Sequence, residues 1–175
     1  YELSGVLYDA LAPVEHGVGL MLVLPVASAP QPQRVDADLI YLDGVQDPGN
    51  AGALLRVAAA ADVMYVCASP TTTALWAPKV LRGAQGAHFG LRVIEQVTPE
   101  QLRGLQGVTW MGTAAHQAQP LWRAPLPDTP VGWMFGSEGQ GLSAEAQALC
   151  ALSVSIPTNA AVESLNVATS AAVCL

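Results

Sequence analysis

A chain of 175 residues, 51% apolar and only 12% charged, has material for one well-packed domain and too much apolar surface to stay disordered. Fourteen acids against seven bases leave a formal charge of −7, unevenly spread: residues 1–50 hold seven acids and one base, residues 51–175 seven acids and six bases. This excludes a general basic nucleic-acid footprint, so an RNA reading must rest on a local site or on residues outside this chain; no apolar run reaches about 18 residues, so no membrane-spanning helix is expected.

Residues 1–19 give little periodicity, and Val14-Glu15-His16-Gly17-Val18-Gly19 reads as a connection. Residues 20–24 (Leu-Met-Leu-Val-Leu) read as a short buried strand stopped by Pro25, and the Pro- and Gln-rich stretch after it as a linker. The main domain is expected to begin near Asp36. From there strands and helices alternate. Apolar runs at 39–42, 63–67, 91–94, 108–111, 131–135 and 152–156 read as strands. Helices are expected over 51–61, 75–83, 99–105 and 143–149, with a last helix capped by the hydroxyl of Ser164. Short continuous apolar strands separated by helices indicate an α/β fold, a mostly parallel sheet with helices on both faces.

Ligands of such sheets collect beyond the carboxyl ends of the strands. Four of those ends carry loops of small or polar residues: 43–50, 112–114, 136–141 and 157–166. The loop Gly136-Ser137-Glu138-Gly139-Gln140-Gly141 fits neither the dinucleotide fingerprint nor a phosphate loop, and it lacks lysine. Glu138 inside it would repel a pyrophosphate, which disfavours a Rossmann-like nucleotide enzyme. A ligand without phosphates and with positive charge, such as S-adenosylmethionine, fits better; a glycine turn with a solvated carboxylate is the alternative. The stretch 152–166 is open in the same way, since a strand ended by Pro157 and a polar loop also describe an ordinary connection.

Arg56 stands out because Leu54, Leu55, Val57 and four alanines surround it in the sequence. Its guanidinium needs an acceptor, either a phosphate or carboxylate of a ligand, or a structural partner such as Asp62 or Glu163. Lys79 and Arg82 share a helix face at i, i+3, facing RNA phosphate or simply solvent. His16, His88 and His116 are scattered and read as structural. Cys67, Cys150 and Cys174 have no metal-like spacing and read as reduced thiols of a cytoplasmic protein; no metal site is expected. The opening Tyr1-Glu2-Leu3 lacks the basic stretch of a signal peptide, so none is expected.

With these residues assembled, the chain resembles the SpoU (TrmH-like) ribose 2′-O-methyltransferases of the SPOUT superfamily. Pro48-Gly49-Asn50-Ala51-Gly52-Ala53-Leu54-Leu55-Arg56 resembles the first motif of that family, and Phe135-Gly136-Ser137-Glu138-Gly139-Gln140-Gly141-Leu142 the second. The third spans Ile156-Pro157 to Val162-Glu163-Ser164-Leu165-Asn166-Val167; residues 78–84 with His88 are also family-like. The third motif departs from the family at Thr158, usually Met, and at Ala160, usually Gly. The last helix, stopping at Leu175, is shorter than the family's.

The resemblance implies a C-terminal deep trefoil knot, despite the general scarcity of knots. It also implies a homodimer, an RNA substrate (tRNA or rRNA) and S-adenosylmethionine as methyl donor. Residues 1–25 would be the remnant of a small N-terminal RNA-binding domain, 26–35 a linker, and 36–175 the methyltransferase domain. Thr113, Ala114, Gly136, Ser137, Gly141, Ile156, Ser164 and Leu165 would hold the cofactor. Asn50, Arg56, Glu138, Ser164 and Asn166 would form the catalytic group, with Arg56 gripping the phosphate beside the target ribose. A non-catalytic RNA- or S-adenosylmethionine-binding module on the same fold is the alternative.

Overall fold

The computed structural model describes residues 1–12, 18–26, 29–114, 118–159, 161–162 and 164–175. Seven strands form one sheet in the order β3-β2-β1-β6-β4-β7-β5, and all six pairings are parallel. They are β1 (Leu39–Asp43), β2 (Tyr65–Ala68), β3 (Arg92–Ile94), β4 (Thr109–Thr113), β5 (Gln119–Pro120), β6 (Val131–Gly136) and β7 (Leu152–Ser155). The α-helices are α1 (Gly5–Leu11), α2 (Pro48–Ala60), α3 (Pro78–Ala84), α4 (Pro99–Arg103), α5 (Ala144–Gln147) and α6 (Val167–Cys174).

The alternation of side chains along a strand divides the core into two layers. On β1, Ile40 and Leu42 pack with Leu54 and Leu55 of α2, Val80 of α3 and Ala168 and Ala171 of α6. Leu39 and Tyr41 face the other way, toward Leu102 of α4 and Ala146 of α5. Every residue of β1 is buried, as expected for a central parallel strand with helices over both faces. Burial forces Tyr41 to find a partner, and its hydroxyl donates to the Val97 carbonyl at 3.1 Å.

Helix α2 begins three residues earlier than the apolar pattern indicates. Asp47 caps it by accepting from the Asn50 amide at 2.8 Å, and Pro48 sits where no backbone donor is needed. Asn50 is therefore a first-turn helical residue rather than a loop residue. Helix α2 crosses α3 closely: a Cβ on Gly52 would lie 2.8 Å from the Gly83 backbone. Helix α3 starts at Pro78, later than expected, because Leu75 is drawn into the core and its amide donates to the Glu95 carboxylate at 2.7 Å. Helices α4 and α5 stop short of the expected 105 and 149, and β2 starts two residues after 63.

Two expectations fail. Residues 20–24 are not a strand; Leu20, Leu22, Val23 and Leu24 are all at least 67% exposed. An apolar run becomes a strand only where it pairs with a neighbour's backbone, and residues 20–24 pair with no strand of the sheet. Nor does Ser164 cap the last helix. Asn166 does, its Oδ1 accepting from the amides of Ala168 at 2.9 Å and Thr169 at 3.3 Å. An asparagine oxygen adjacent to the first turn reaches both orphan donors, whereas a hydroxyl two residues earlier does not. The connection read at 14–19 lies partly outside the described residues, as do His16, His116, Ala160 and Glu163.

The segment read as a linker is partly docked. The Val35 amide donates to the Gln106 carbonyl and the Gln106 amide to the Gln33 carbonyl, each at 3.0 Å. Cys67 is buried, Cys150 and Cys174 are partly buried, and all three are free thiols. No described helix is long and apolar enough to cross a membrane, and no described group of His, Cys, Asp and Glu could hold a metal ion.

Candidate active site

The carboxyl ends of β4, β6 and β7 open on one cleft of about 560 Å³, whereas no residue of the expected loop 43–50, Asn50 included, is on its lining. It is lined by Thr113 and Ala114 after β4, residues 136–142 after β6, Val154 and Ile156 at the end of β7, and Thr158 and residues 164–167 leading into α6. All eight residues expected to hold a cofactor lie on this lining, and so do Glu138, Ser164 and Asn166. Gln147 and Ser170 line it as well, and no sequence pattern had singled them out.

The glycine-rich loop owes its shape to backbone contacts that side chains would prevent. The Ser137 amide donates to the Gly141 carbonyl at 3.0 Å and the Gly141 amide to the Ser137 carbonyl at 2.9 Å, closing the loop on itself. A Cβ on Gly136 would lie within 2.1 Å of the Gly141 backbone, so that position admits only glycine. The Ser137 hydroxyl also accepts from the Gln140 amide at 3.2 Å. Glu138 is thereby held at the exposed tip of the turn. Across the cleft, the Thr113 hydroxyl donates to the Met134 carbonyl and the Ala114 amide to the Val154 carbonyl, joining β4 to both of its neighbours.

Asn50, Glu138 and Asn166 meet. Asn166 Nδ2 donates to Asn50 Oδ1 at 2.7 Å, and Asn50 Nδ2 donates to Glu138 Oε1 at 2.8 Å. The direction of this chain is fixed from one end. Two helix amides occupy Asn166 Oδ1, so its NH₂ must face Asn50; Asn50 must then present its oxygen to Asn166 and its NH₂ to residue 138. The last position can only be an acceptor, which a carboxylate supplies. Residues 88 and 116 positions apart in sequence are thus linked side chain to side chain.

Arg56 is not on the cleft lining. It lies on the exposed side of α2, about 120° around the helix from Asn50, and pairs with neither Asp62 nor any other described acid. The one ion pair among the described residues is Arg103–Glu100, on the surface. Lys79 and Arg82 are likewise exposed, and neither pairs with a described acid. His88 is buried, its Nε2 donating to the Leu75 carbonyl at 2.8 Å and its ring 4.7 Å from that of Trp76, which is a structural placement.

Glu138 is the one charged side chain among the described residues of the lining. With no lysine or arginine and with Val154, Ile156 and Leu165 among the walls, the cleft suits an amphipathic ligand with a cationic centre and does not suit a pyrophosphate. Fold and site together define a class: a doubly covered parallel α/β domain whose ligand cleft is built from loops after its inner strands. The family is equally definite. The chain belongs to the SpoU rRNA Methylase family, which matches residues 38–175.

Among its relatives, it is 32% identical over 168 residues to the 23S rRNA (guanosine(2553)-2′-O)-methyltransferase RlmP of Bacillus subtilis, covering 94% of this chain and 67% of that protein. It is 39% identical over 140 residues to the 23S rRNA (guanosine-2′-O-)-methyltransferase RlmB of Ralstonia nicotianae, covering 78% and 56% respectively. In structure it is similar to the SpoU methyltransferase AviRb of Streptomyces viridochromogenes in complex with AdoMet, with a TM-score of 0.73, 25% identity, and coverage of 79% of this chain and 58% of that one. The chain thus spans between half and two thirds of the length of such relatives.

Proposed function

We propose that this chain carries the catalytic domain of an S-adenosylmethionine-dependent methyltransferase that modifies a ribose 2′-hydroxyl of structured RNA, tRNA or rRNA. The observation that carries the reading is the junction of Asn50, Glu138 and Asn166 at the mouth of a cleft with no lysine or arginine among its described lining residues. That the relatives include 23S rRNA 2′-O-methyltransferases and an AdoMet-bound structure supports the same reading. Thr113, Ala114, Gly136, Ser137, Gly141, Ile156, Ser164 and Leu165 would hold the cofactor, with apolar walls for the nucleoside and the Glu138 carboxylate opposing its positive charge.

S-adenosylmethionine, when bound, supplies a methyl group on a cationic sulfur. The protein's part is positioning, the larger share of catalysis when the displacement itself is simple. Arg56 grips the phosphate next to the target ribose through its planar fork, since a guanidinium with a pKa above about 12 is a poor general base. Asn50 and Ser164 hydrogen-bond and orient the 2′-hydroxyl. Glu138 and Asn166 fix the direction in which the Asn50 amide points.

The proposal extends to architecture. Strand β7 pairs between β4 and β5 while α6 packs against α2 on one face of the sheet, so the chain after β7 travels back past β4 and β6. That path supports a deep trefoil knot. Arg56 lies outside the cleft lining, which supports a homodimer in which RNA and a second copy complete the site. Residues 1–25, whose helix α1 buries nothing, are read as the remnant of an N-terminal RNA-binding domain, 26–35 as a linker and 36–175 as the methyltransferase domain. Three free thiols agree with a cytoplasmic setting.

Calorimetry with S-adenosylmethionine, followed by transfer of its tritiated methyl group to bulk RNA, tests the reading. Saturable binding and RNA labelling are expected. Binding without transfer would favour the non-catalytic module, and tight binding of NAD or ATP instead would overturn the cofactor assignment.

A further inference from the structure

We propose that α3 and the 3₁₀ turn that follows it (Ala87–Gly90) form a platform for single-stranded RNA beside the active site. Phe89 stacks on a base there while Lys79 and Arg82 hold neighbouring phosphates. The proposal rests on the methyltransferase reading for its ligand class and adds to it the surface and residues that receive the strand.

Charge singles out this region. Between residues 48 and 94 there are four bases and one acid, a net of +3, while the remainder of the chain carries three bases and thirteen acids, a net of −10. Of the four bases, Arg92 lies over the Tyr65 ring at 5.5 Å. Arg56, Lys79 and Arg82 are exposed, and none pairs with a described acid. A polyanion approaching an otherwise acidic molecule is drawn here.

Phe89 supplies the second observation. It is 97% exposed, more than any other large apolar side chain described from residue 30 onward. The fold holds it there: Gln85 and Gly86 reverse the chain with φ of 50° and 88°, and the Phe89 amide donates to the Gly86 carbonyl at 3.1 Å. Next door, His88 is buried against Trp76 and bonded to the Leu75 carbonyl. With His88 anchored inward, its neighbour in a 3₁₀ turn projects into water. A bare ring on the turn that follows a helix with two exposed cations, neither paired with a described acid, is the composition of a stacking site for unpaired bases.

Position supplies the third. The carboxyl end of α3 rests on the first turn of α2: a Cβ on Gly83 would lie 3.3 Å from Gly52 Cα and 3.7 Å from the Gly49 carbonyl oxygen. Asn50 is in that turn and reaches Glu138 at the cleft. A strand laid along α3 toward its carboxyl end therefore approaches the helix turn that carries Asn50.

The test is fluorescence anisotropy with a fluorescein-labelled RNA of roughly twelve nucleotides and mixed sequence. The 175-residue chain is compared with Phe89→Ala, Phe89→Leu, Phe89→Trp and the pair Lys79→Gln with Arg82→Gln. Phe89→Ala and Phe89→Leu are expected to weaken binding about tenfold and Phe89→Trp to restore it, because stacking needs a flat ring and not merely apolar area. The paired charge variant is expected to flatten the salt dependence, by about 0.7 in slope for each phosphate that is no longer neutralised. Equal affinity for wild type and Phe89→Ala would overturn the platform, as would wild-type affinity in Phe89→Leu, or no wild-type binding at about 100 µM. Methyl transfer undiminished in Phe89→Ala would overturn the platform and leave the methyltransferase reading standing. Phe89-dependent RNA binding by a chain with no affinity for S-adenosylmethionine would do the reverse.

Discussion

Asn166 does two jobs with one amide, and the polarity of the site follows from that. Its oxygen is committed to the first turn of α6, so its NH₂ group, and then that of Asn50, must point toward Glu138. Exchanging polarity at the last two positions tests the arrangement. Asn50→Asp alone places two carboxylates in contact, whereas Glu138→Gln alone keeps an acceptor for the Asn50 NH₂ group in its carbonyl oxygen but a neutral one. With both changes made, the new carboxylate on α2 would accept from Asn166 and from the new amide in the glycine-rich loop. A double-mutant cycle on thermal unfolding is expected to show favourable coupling of about 1 kcal/mol; strictly additive effects would mean that the pair does not interact in solution. Arg56→Lys keeps the charge and loses the fork. It is expected to bind S-adenosylmethionine normally while turnover on RNA falls at least about tenfold, an effect read by single-turnover kinetics. These residue types and spacings were legible in the sequence through three separated motifs. The direction of the hydrogen bonds was not, because it depends on which atom of Asn166 the helix claims.

At the scale of elements, the approach of α2 to α3 depends on two glycines that face each other. Gly52→Ala would put a methyl group 2.8 Å from the Gly83 backbone, which cannot rotate away as a side chain can. The gain in helix propensity, below about 1 kcal/mol, is outweighed by an overpacking cost of about 1–3 kcal/mol. Urea unfolding should show a lower midpoint with an unchanged slope; an unchanged midpoint would mean that the helices separate freely. The six longer strands could be read from apolar runs because a doubly covered parallel sheet makes such runs unbroken. Residues 20–24 gave the same signal without a strand, since composition records an apolar run but not whether a partner edge is available. The two-residue β5 has no pattern to find. The last helix was placed with the wrong cap because Ser164 and Asn166 are both good caps, and tertiary contact with Asn50 favours the second.

For the whole molecule, stability at alkaline pH is expected to depend on buried acids that ionise more readily once unfolded: the three thiols and, above about pH 10, Tyr41, whose pKa burial also raises. Burial pushes Cys67 and Cys174 up to about 12 and Cys150 up to about 11, with the Asp43 charge adding a smaller push at Cys150. A thiol whose folded pKa is raised contributes stability that is fully present below its unfolded pKa, near 9, and is lost as pH climbs toward the folded value. Stability should therefore fall between about pH 9 and 11, by at most about 1.4 kcal/mol per pH unit for each thiol. Cys67→Ala should lower the whole curve yet flatten that fall; an equally steep decline in the variant would assign it to other groups. Charge, too, acts at this scale: in a chain of net charge −7, residues 48–94 carry a net of +3, and a polyanion would be drawn to the exposed bases among them, Arg56, Lys79 and Arg82.

Mass spectrometry of nucleosides from ribosomal RNA treated with the protein and S-adenosylmethionine carrying a deuterated methyl group tests the central claim most directly. The account predicts the heavy methyl on a ribose 2′-oxygen, and its disappearance in Arg56→Ala and Asn50→Ala while cofactor binding persists in the first. Heavy methyl on a base, or on a ribose at undiminished level in both variants, would contradict it.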